Sequence, residues 1–113
     1  AWKDRPVEVL EHYREDSRSS GHLYLTRLTK KSREECNDVI TALAECGVAA
    51  NVHYKPLPMM TGYKKMGFDI KDYPNAYARF VNEITLPLHT KLTDEEVAYV
   101  IENYCRIVGE YIK

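Results

Sequence analysis

Three neighbouring side chains, an imidazole, a phenol and an ammonium group, stand out in the stretch NVHYKPLP. They are His53, Tyr54 and Lys55, and two prolines directly after them interrupt regular structure. An imidazole can exchange a proton near neutral pH, a phenol joins an apolar ring to a polar tip, and an ammonium group attracts anions. Polar residues that lead into a proline-stiffened loop are typical of a pocket and equally typical of a strand end. Both interpretations remain open on spacing alone.

The other groups that could do chemistry follow patterns typical of structural roles. The four histidines lack metal-ligand spacing, and no glycine-rich phosphate loop or HExxH motif occurs, so we predict no metal site. Three cysteines without a CxxC pair predict free, mostly buried thiols in a cytoplasmic protein. The carboxylates at residues 34–35 and 94–96 fall in the first turns of predicted helices, where they complement the helix dipole.

Composition and charge limit the possible partners. A chain of 113 residues, 44% hydrophobic and 29% charged, predicts one folded globular domain. Its net charge of −1 argues against a nucleic acid or an anionic membrane as partner, because both select clustered basic residues. No apolar run is long enough to span a bilayer.

The elements that must position the His53 segment can be predicted from periodicity. We predict four helices and three strands, with a polar loop at residues 14–21 and a loop-rich middle section at residues 56–73. The first of the four helices is short and includes Val7, Leu10 and Tyr13. The others are residues 32–47, a helix that begins at Pro74, and a helix that begins after Thr93. A fifth, short helix near residues 63–66 is also indicated. The strands are residues 22–28, 48–54 and 83–89.

Two of the helices carry clear start signals. Ser32 with Glu35, and Thr93 with Glu96, have the spacing of a capping box, in which each side chain satisfies an amide at the helix start. Gly47 follows the first of these helices where a left-handed residue would end it. The sum is an α+β fold: a small sheet of about three strands with helices packed on one face. If strands 22–28 and 48–54 lie in one sheet, their crossover should be right-handed.

Three longer segments carry a family resemblance: GHLYLTRL, SREECNDVITALAECGVAANVHYKPLP and YPNAYARFVNEITLPLHTKLTDEEVAYVIENY. In this order they resemble the C-terminal region of the DegT/StrS family of sugar aminotransferases, from about Gly21 to about Val108. The resemblance implies that residues 21–113 form the small C-terminal domain of a fold type I aminotransferase. Residues 1–20 would be a lead-in helix and linker, and the large cofactor-binding domain would be absent from this chain.

The resemblance also implies an activity for the full-length protein. Family members use pyridoxal 5′-phosphate (PLP) to transfer an amino group, usually from glutamate, to a nucleotide-linked keto sugar, and they are commonly homodimers. The lysine that holds the cofactor lies in their large domain, so this chain would contain no catalytic and no cofactor-binding residue. His53, Tyr54 and Lys55 would then be substrate-binding residues at the mouth of the active site.

Two alternatives stay open. A related PLP-dependent sugar dehydratase would share this small domain, because a histidine replaces the Schiff-base lysine only in the large domain. A stand-alone α+β module that binds a ligand or a partner is also compatible, since folds of this kind serve many functions. A fragment should expose an apolar surface that its missing domain covers, whereas an independent module should not.

Overall fold

The computed structural model describes residues 6–111, which form three strands, four α-helices and two short 3₁₀ turns. In chain order the elements are β1 (Val7–Val9), β2 (Tyr24–Leu28), α1 (Arg33–Glu45), a 3₁₀ turn (Leu57–Met59), α2 (Thr61–Lys65), a 3₁₀ turn (Ile70–Asp72), α3 (Pro74–Phe80), β3 (Glu83–Leu86) and α4 (Asp94–Tyr111).

The sheet is antiparallel, with strand order β1-β2-β3. The predicted first helix is wrong, because Val7–Val9 pairs with β2 as an edge strand instead. Two valines in three residues favour an extended backbone, since β-branched side chains lose rotamer freedom in a helix. The helical spacing of the apolar residues was therefore misleading in so short a segment.

One face of the sheet is covered by α1 and α4, which confirms the α+β prediction. The apolar stripe of α1 is buried through Cys36, Val39 and Leu43, and that of α4 through Tyr104 and Ile107. The capping boxes at both helix starts are present, with reciprocal side-chain and backbone hydrogen bonds. Gly47 has φ of 76°, the left-handed value expected directly after α1.

The alternation in β2 places a threonine in the core. Thr26 is fully buried on the helix side, while Leu25 faces the opposite side, which α1 and α4 leave uncovered. The Thr26 hydroxyl donates to the Ile84 carbonyl at 2.8 Å and lies 2.7 Å from the Tyr104 hydroxyl. Burial of this polar group is tolerated because its hydrogen bonds are satisfied.

The predicted strand at residues 48–54 is also wrong, apart from one bridge. Asn51 pairs antiparallel with Thr85, by hydrogen bonds of 3.0 and 2.8 Å between their backbones. The Ala50 amide turns back to the Val48 carbonyl, and the Asn51 side chain accepts from the Val52 amide at 2.7 Å. These local bonds compete with a sheet ladder. Because Asn51 pairs antiparallel with β3, and β3 is antiparallel to β2, the chain at Asn51 runs parallel to β2 with β3 between them. The right-handed sense of this connection through α1 stays a prediction.

Residues 54–80 form an arm that leaves the core and returns to it. Its helices and turns, among them α2 and α3, contain no buried residue. Pro74 occupies the first turn of α3, as predicted. Two arginines hold the end of the arm: Arg27 donates to the Ala78 carbonyl at 2.8 Å, and Arg33 donates to the Phe80 carbonyl at 3.0 Å.

Candidate functional site

His53 lies at the uncovered face of the sheet, directly after the Asn51–Thr85 bridge. Its backbone amide donates to the carboxylate of Glu83 at 3.0 Å. Glu83 is the first residue of β3, and its carboxylate also accepts from the Thr85 hydroxyl. The bridge and the carboxylate together bring the end of the 48–53 segment against the sheet.

A cleft opens beside His53 on this face, with a volume of about 320 Å³. We call it the His53 cleft; its lining includes His53, Leu25, Glu8, Arg27, Arg79 and Glu83. The volume is at the small end of the roughly 300–1,000 Å³ typical of ligand pockets. The mixture of apolar and charged side chains suits a ligand that has both kinds of surface.

Charges in the His53 cleft are partly paired. Arg27 donates to Glu8 at 3.0 Å, and Arg14 donates to Glu11 at 3.0 Å. Arg79 is exposed, and no hydrogen bond or ion pair occupies its guanidinium among the described residues. A guanidinium without an acidic partner favours an anionic group in the cleft.

The carboxyl group of Glu83 is nearly inaccessible, with the residue 4% exposed. Burial raises the pKa of Glu83 above its usual range, while the hydrogen bonds from Thr85 and from the His53 amide lower it less. The Glu83 side chain therefore binds its proton more readily than an exposed glutamate does.

The imidazole of His53 is half-buried, and its two nitrogens differ. Nδ1 is inaccessible and has no hydrogen-bond partner among the described residues. A ligand in the cleft therefore has no access to Nδ1, which leaves Nε2 as the ring nitrogen that it could contact. Tyr54 packs edge-on against the same ring, with 4.7 Å between centroids and 88° between planes, while its own side chain is 67% exposed. The peptide bond between the two residues is cis.

Lys55 does not join His53 in the same cleft. It lines a separate shallow depression together with Arg33, Asn37 and Tyr77. The predicted trio thus divides: His53 lines the cleft on the sheet, Tyr54 packs against its ring, and Lys55 lines a different depression.

Sequence reasoning missed the side chains that surround His53. Arg27 comes from β2, about fifty residues before Arg79 of α3 and Glu83 of β3, so no local spacing connects it with them or any of the three with His53. One signal was available: Glu83 places a carboxylate at the start of the short apolar strand EITL, where charged residues are rare without a partner.

The described residues do not fit a PLP cradle. A Schiff-base lysine needs an apolar or cationic setting that depresses its pKa, and no lysine between residues 6 and 111 is buried. Lys55 is exposed on the arm, and Lys31, the least exposed, pairs with Glu35 at 2.8 Å. Within the same residues no cluster of three or more metal-ligating side chains occurs. None of their helices is long and apolar enough to cross a membrane.

Comparison with known sequences connects this geometry to one family. The profile of the DegT/DnrJ/EryC1/StrS aminotransferase family matches residues 2–104. The spore coat polysaccharide biosynthesis protein SpsC of Bacillus subtilis is 30% identical over 90% of this chain and 27% of its own length. A UDP-4-amino-4,6-dideoxy-N-acetyl-beta-L-altrosamine transaminase of Helicobacter pylori is 30% identical over 85% of this chain and 25% of its own.

Solved structures give the same result. Spr1654 of Streptococcus pneumoniae, named as a sugar aminotransferase and solved in a PLP form, is 53% identical with a TM-score of 0.90, over 96% of this chain and 28% of that one. Helicobacter pylori PseC, an aminotransferase of pseudoaminic acid biosynthesis, is 26% identical with a TM-score of 0.70, over 84% of this chain and 25% of that one. The chain thus spans about a quarter of the length of the relatives that it matches.

Proposed function

The chain belongs to the DegT/DnrJ/EryC1/StrS aminotransferase family, and we propose that it is the small C-terminal domain of a PLP-dependent enzyme that aminates a nucleotide-linked keto sugar. Glutamate is the proposed amino donor. The likeness to Spr1654 over nearly the whole chain is the observation that carries this proposal. The names of the Bacillus and Helicobacter relatives support a sugar substrate and a role in polysaccharide or amino-sugar biosynthesis.

In this proposal residues 21–113 are the small domain and residues 1–20 its lead-in. The cofactor lysine belongs to the large domain, outside this chain, which agrees with the lack of a buried lysine among residues 6–111. PLP, when bound there, supplies the electron sink for amino transfer. The isolated chain is then not catalytic, the full-length enzyme is a homodimer, and a reducing cytoplasm suits the free thiols Cys36, Cys46 and Cys105.

The proposed substrate contacts are those of the His53 segment. His53 presents Nε2 to a sugar hydroxyl or a phosphate oxygen, because its Nδ1 is inaccessible. Tyr54 offers an exposed ring edge and a hydroxyl beside it. Lys55 binds a more distant anionic part of the same substrate, since it lies in a separate depression next to Arg33.

The first test is His53→Ala in the full-length enzyme, with PLP and glutamate supplied and a nucleotide-linked keto sugar as acceptor. Losing one polar contact of about 1.4 kcal/mol should raise the KM for the sugar about tenfold. The KM for glutamate should change little. His89→Ala is the matched control, because His89 is exposed in the turn before α4 and its ring accepts a hydrogen bond only from the Lys91 amide among the described residues.

Two outcomes would contradict this assignment. An unchanged KM for the sugar in His53→Ala would remove His53 from the substrate site. No amino transfer to any nucleotide-linked keto sugar by the full-length protein would contradict the activity itself.

The dehydratase alternative makes a different prediction for the full-length protein. It requires a histidine in place of the cofactor lysine in the large domain, and the reaction then removes a hydroxyl group. Sequencing the DNA upstream of the codon for Ala1 distinguishes the two enzymes. The stand-alone module predicts a start codon immediately before Ala1 instead.

A further inference from the structure

Both carboxylate oxygens of Glu83 are occupied, one by Thr85 of the same strand and one by the His53 segment. The Thr85 hydroxyl donates to Oε1, and the His53 amide donates to Oε2 at 3.0 Å. The residue is 4% exposed, although it is acidic. Burying a carboxylate is costly unless it is hydrogen-bonded, so its place in a core strand needs a specific reason.

The register of the chain supplies that reason. Asn51 and Thr85 exchange both backbone hydrogen bonds, and in an antiparallel ladder the next such pair would be residues 53 and 83. In a regular ladder the His53 amide would therefore donate to the Glu83 carbonyl. That carbonyl instead accepts from the Arg33 guanidinium at 2.8 Å. The His53 amide therefore donates to the side-chain carboxylate of Glu83 and not to its backbone carbonyl.

Because the acceptor is the side chain of Glu83 and not its backbone carbonyl, the chain at His53 leaves the plane of the sheet. A main-chain ladder would continue Asn51 as a strand alongside β3, whereas a side-chain acceptor holds the amide at the uncovered face. His53 and Glu83 then line the same cleft. The segment is free to turn into the arm directly afterwards, and the imidazole is left facing the cleft.

We propose that Glu83 is a positioning residue for His53: its carboxylate, in place of a backbone ladder, fixes where the imidazole enters the cleft. The proposal rests on the proposed role of His53 in binding the nucleotide-linked sugar. Arg33 assists by occupying the Glu83 carbonyl, and Thr85 assists by orienting the carboxylate.

The test compares Glu83→Leu with Glu83→Gln in the full-length enzyme. Leucine is similar in size to glutamate and suits the buried site, so the Glu83→Leu variant should fold. Because leucine accepts no hydrogen bond from the His53 amide, the variant should raise the sugar KM about tenfold, as His53→Ala should. Glutamine can accept from the His53 amide through its carbonyl and donate to Thr85 through its amide. Its KM should stay within about twofold of wild type. Glu102→Gln, at an exposed carboxylate on α4 outside the His53 cleft, is the matched control and should leave the sugar KM unchanged.

A double variant separates positioning from general damage. If Glu83 acts through His53, adding Glu83→Leu to His53→Ala should not raise the sugar KM further, because residues that act as a unit are not additive. Additive effects on KM would overturn the proposal.

Hydrogen exchange at the His53 amide provides a readout that is independent of catalysis. This amide should be protected in wild type and in Glu83→Gln, and should exchange rapidly in Glu83→Leu. If His53→Ala changes KM and Glu83→Leu does not, the positioning role fails while the proposed function stands. If His53→Ala leaves the sugar KM unchanged but hydrogen exchange at the His53 amide follows the expected order, the proposed role of His53 in substrate binding fails. The hydrogen bond between the His53 amide and Glu83 then stands. Equal protection in all three proteins overturns the contact.

Discussion

At the residue scale, the buried polar side chains of this domain are placed where tertiary partners satisfy them. Thr26 is held between the Ile84 carbonyl and the Tyr104 hydroxyl on the helix side of the sheet. Glu83 is held by Thr85 and the His53 amide on the other side. Thr26 lies on the central strand β2 and Glu83 on its neighbour β3, so each face of the sheet has a buried polar contact between distant segments. Such contacts specify one arrangement because leaving either partner unpaired is costly.

The raised pKa of Glu83 leads to a prediction about pH. The native state holds this proton more tightly than the unfolded chain, whose glutamate pKa is about 4.3. The stability that this group contributes is complete below that value, and it is lost as the pH rises through the raised pKa of the native state. Glutamine at this position has no such dependence. We expect the free energy of unfolding of wild type, relative to Glu83→Gln, to fall across this interval.

Urea unfolding of both proteins at a series of pH values measures that difference. Glu8→Gln serves as the control, because Glu8 is an exposed partner of Arg27 and its substitution should not reproduce the same trend. A wild-type free energy of unfolding that rises with pH, relative to that of Glu83→Gln, would contradict the prediction.

At the element scale, the arm returns to the core through two arginines that bind carbonyl groups at the end of α3. Arg33 donates to the Phe80 and Glu83 carbonyls at 3.0 and 2.8 Å, and its guanidinium lies 5.5 Å from the centre of the Phe80 ring. The last carbonyls of a helix have no partner within the helix, so these donors complete the end of α3. The anchors hold α3, which carries Arg79, beside the cleft.

Arg33→Lys should loosen this end of the arm. A single ammonium group cannot bind two carbonyls and the Asn37 side chain as the planar guanidinium does. We expect a loss of about 1–3 kcal/mol in the free energy of unfolding and faster amide exchange across α3. Arg106→Lys is the matched control, because Arg106 is exposed on α4. Unchanged exchange in α3 would show that Arg33 does not anchor the arm.

At the scale of the whole molecule, the described chain is less compact than an independent domain of its length. Its radius of gyration is 15.4 Å, against about 13 Å for a compact chain of 113 residues. The arm exposes large apolar side chains, among them Leu57 at 55% and Met66 at 72%. Exposed apolar surface of this kind marks an interaction surface, and the rest of a longer enzyme is the partner that the proposed function supplies.

The isolated 113-residue chain should therefore self-associate through the arm. We expect its sedimentation coefficient to rise with protein concentration, and the double variant Leu57→Ser, Met66→Ser to reduce that rise. Tyr13→Ser is the control, because Tyr13 is equally exposed, at 72%, but lies outside the arm. A monomer at all concentrations would favour the stand-alone module.

The sequence by itself determined the features that depend on near neighbours. Both capping boxes, the left-handed Gly47 and Pro74 at the start of α3 are decided within one helical turn, and all are present as predicted. Helical periodicity over a dozen or more residues likewise identified α1 and α4 and, with them, the α+β class. The quoted segments also sufficed to recognise the family.

Only the tertiary structure decided the features that depend on distant partners. Residues 7–9 became an edge strand because β2 offers them a partner, and residues 48–54 left the sheet after one bridge because Arg33 and Glu83 replace the ladder. The same contacts separate His53 from Lys55 and surround the imidazole with side chains from three elements. No local pattern encodes such pairings, because the energy that selects them comes from groups thirty or more residues away.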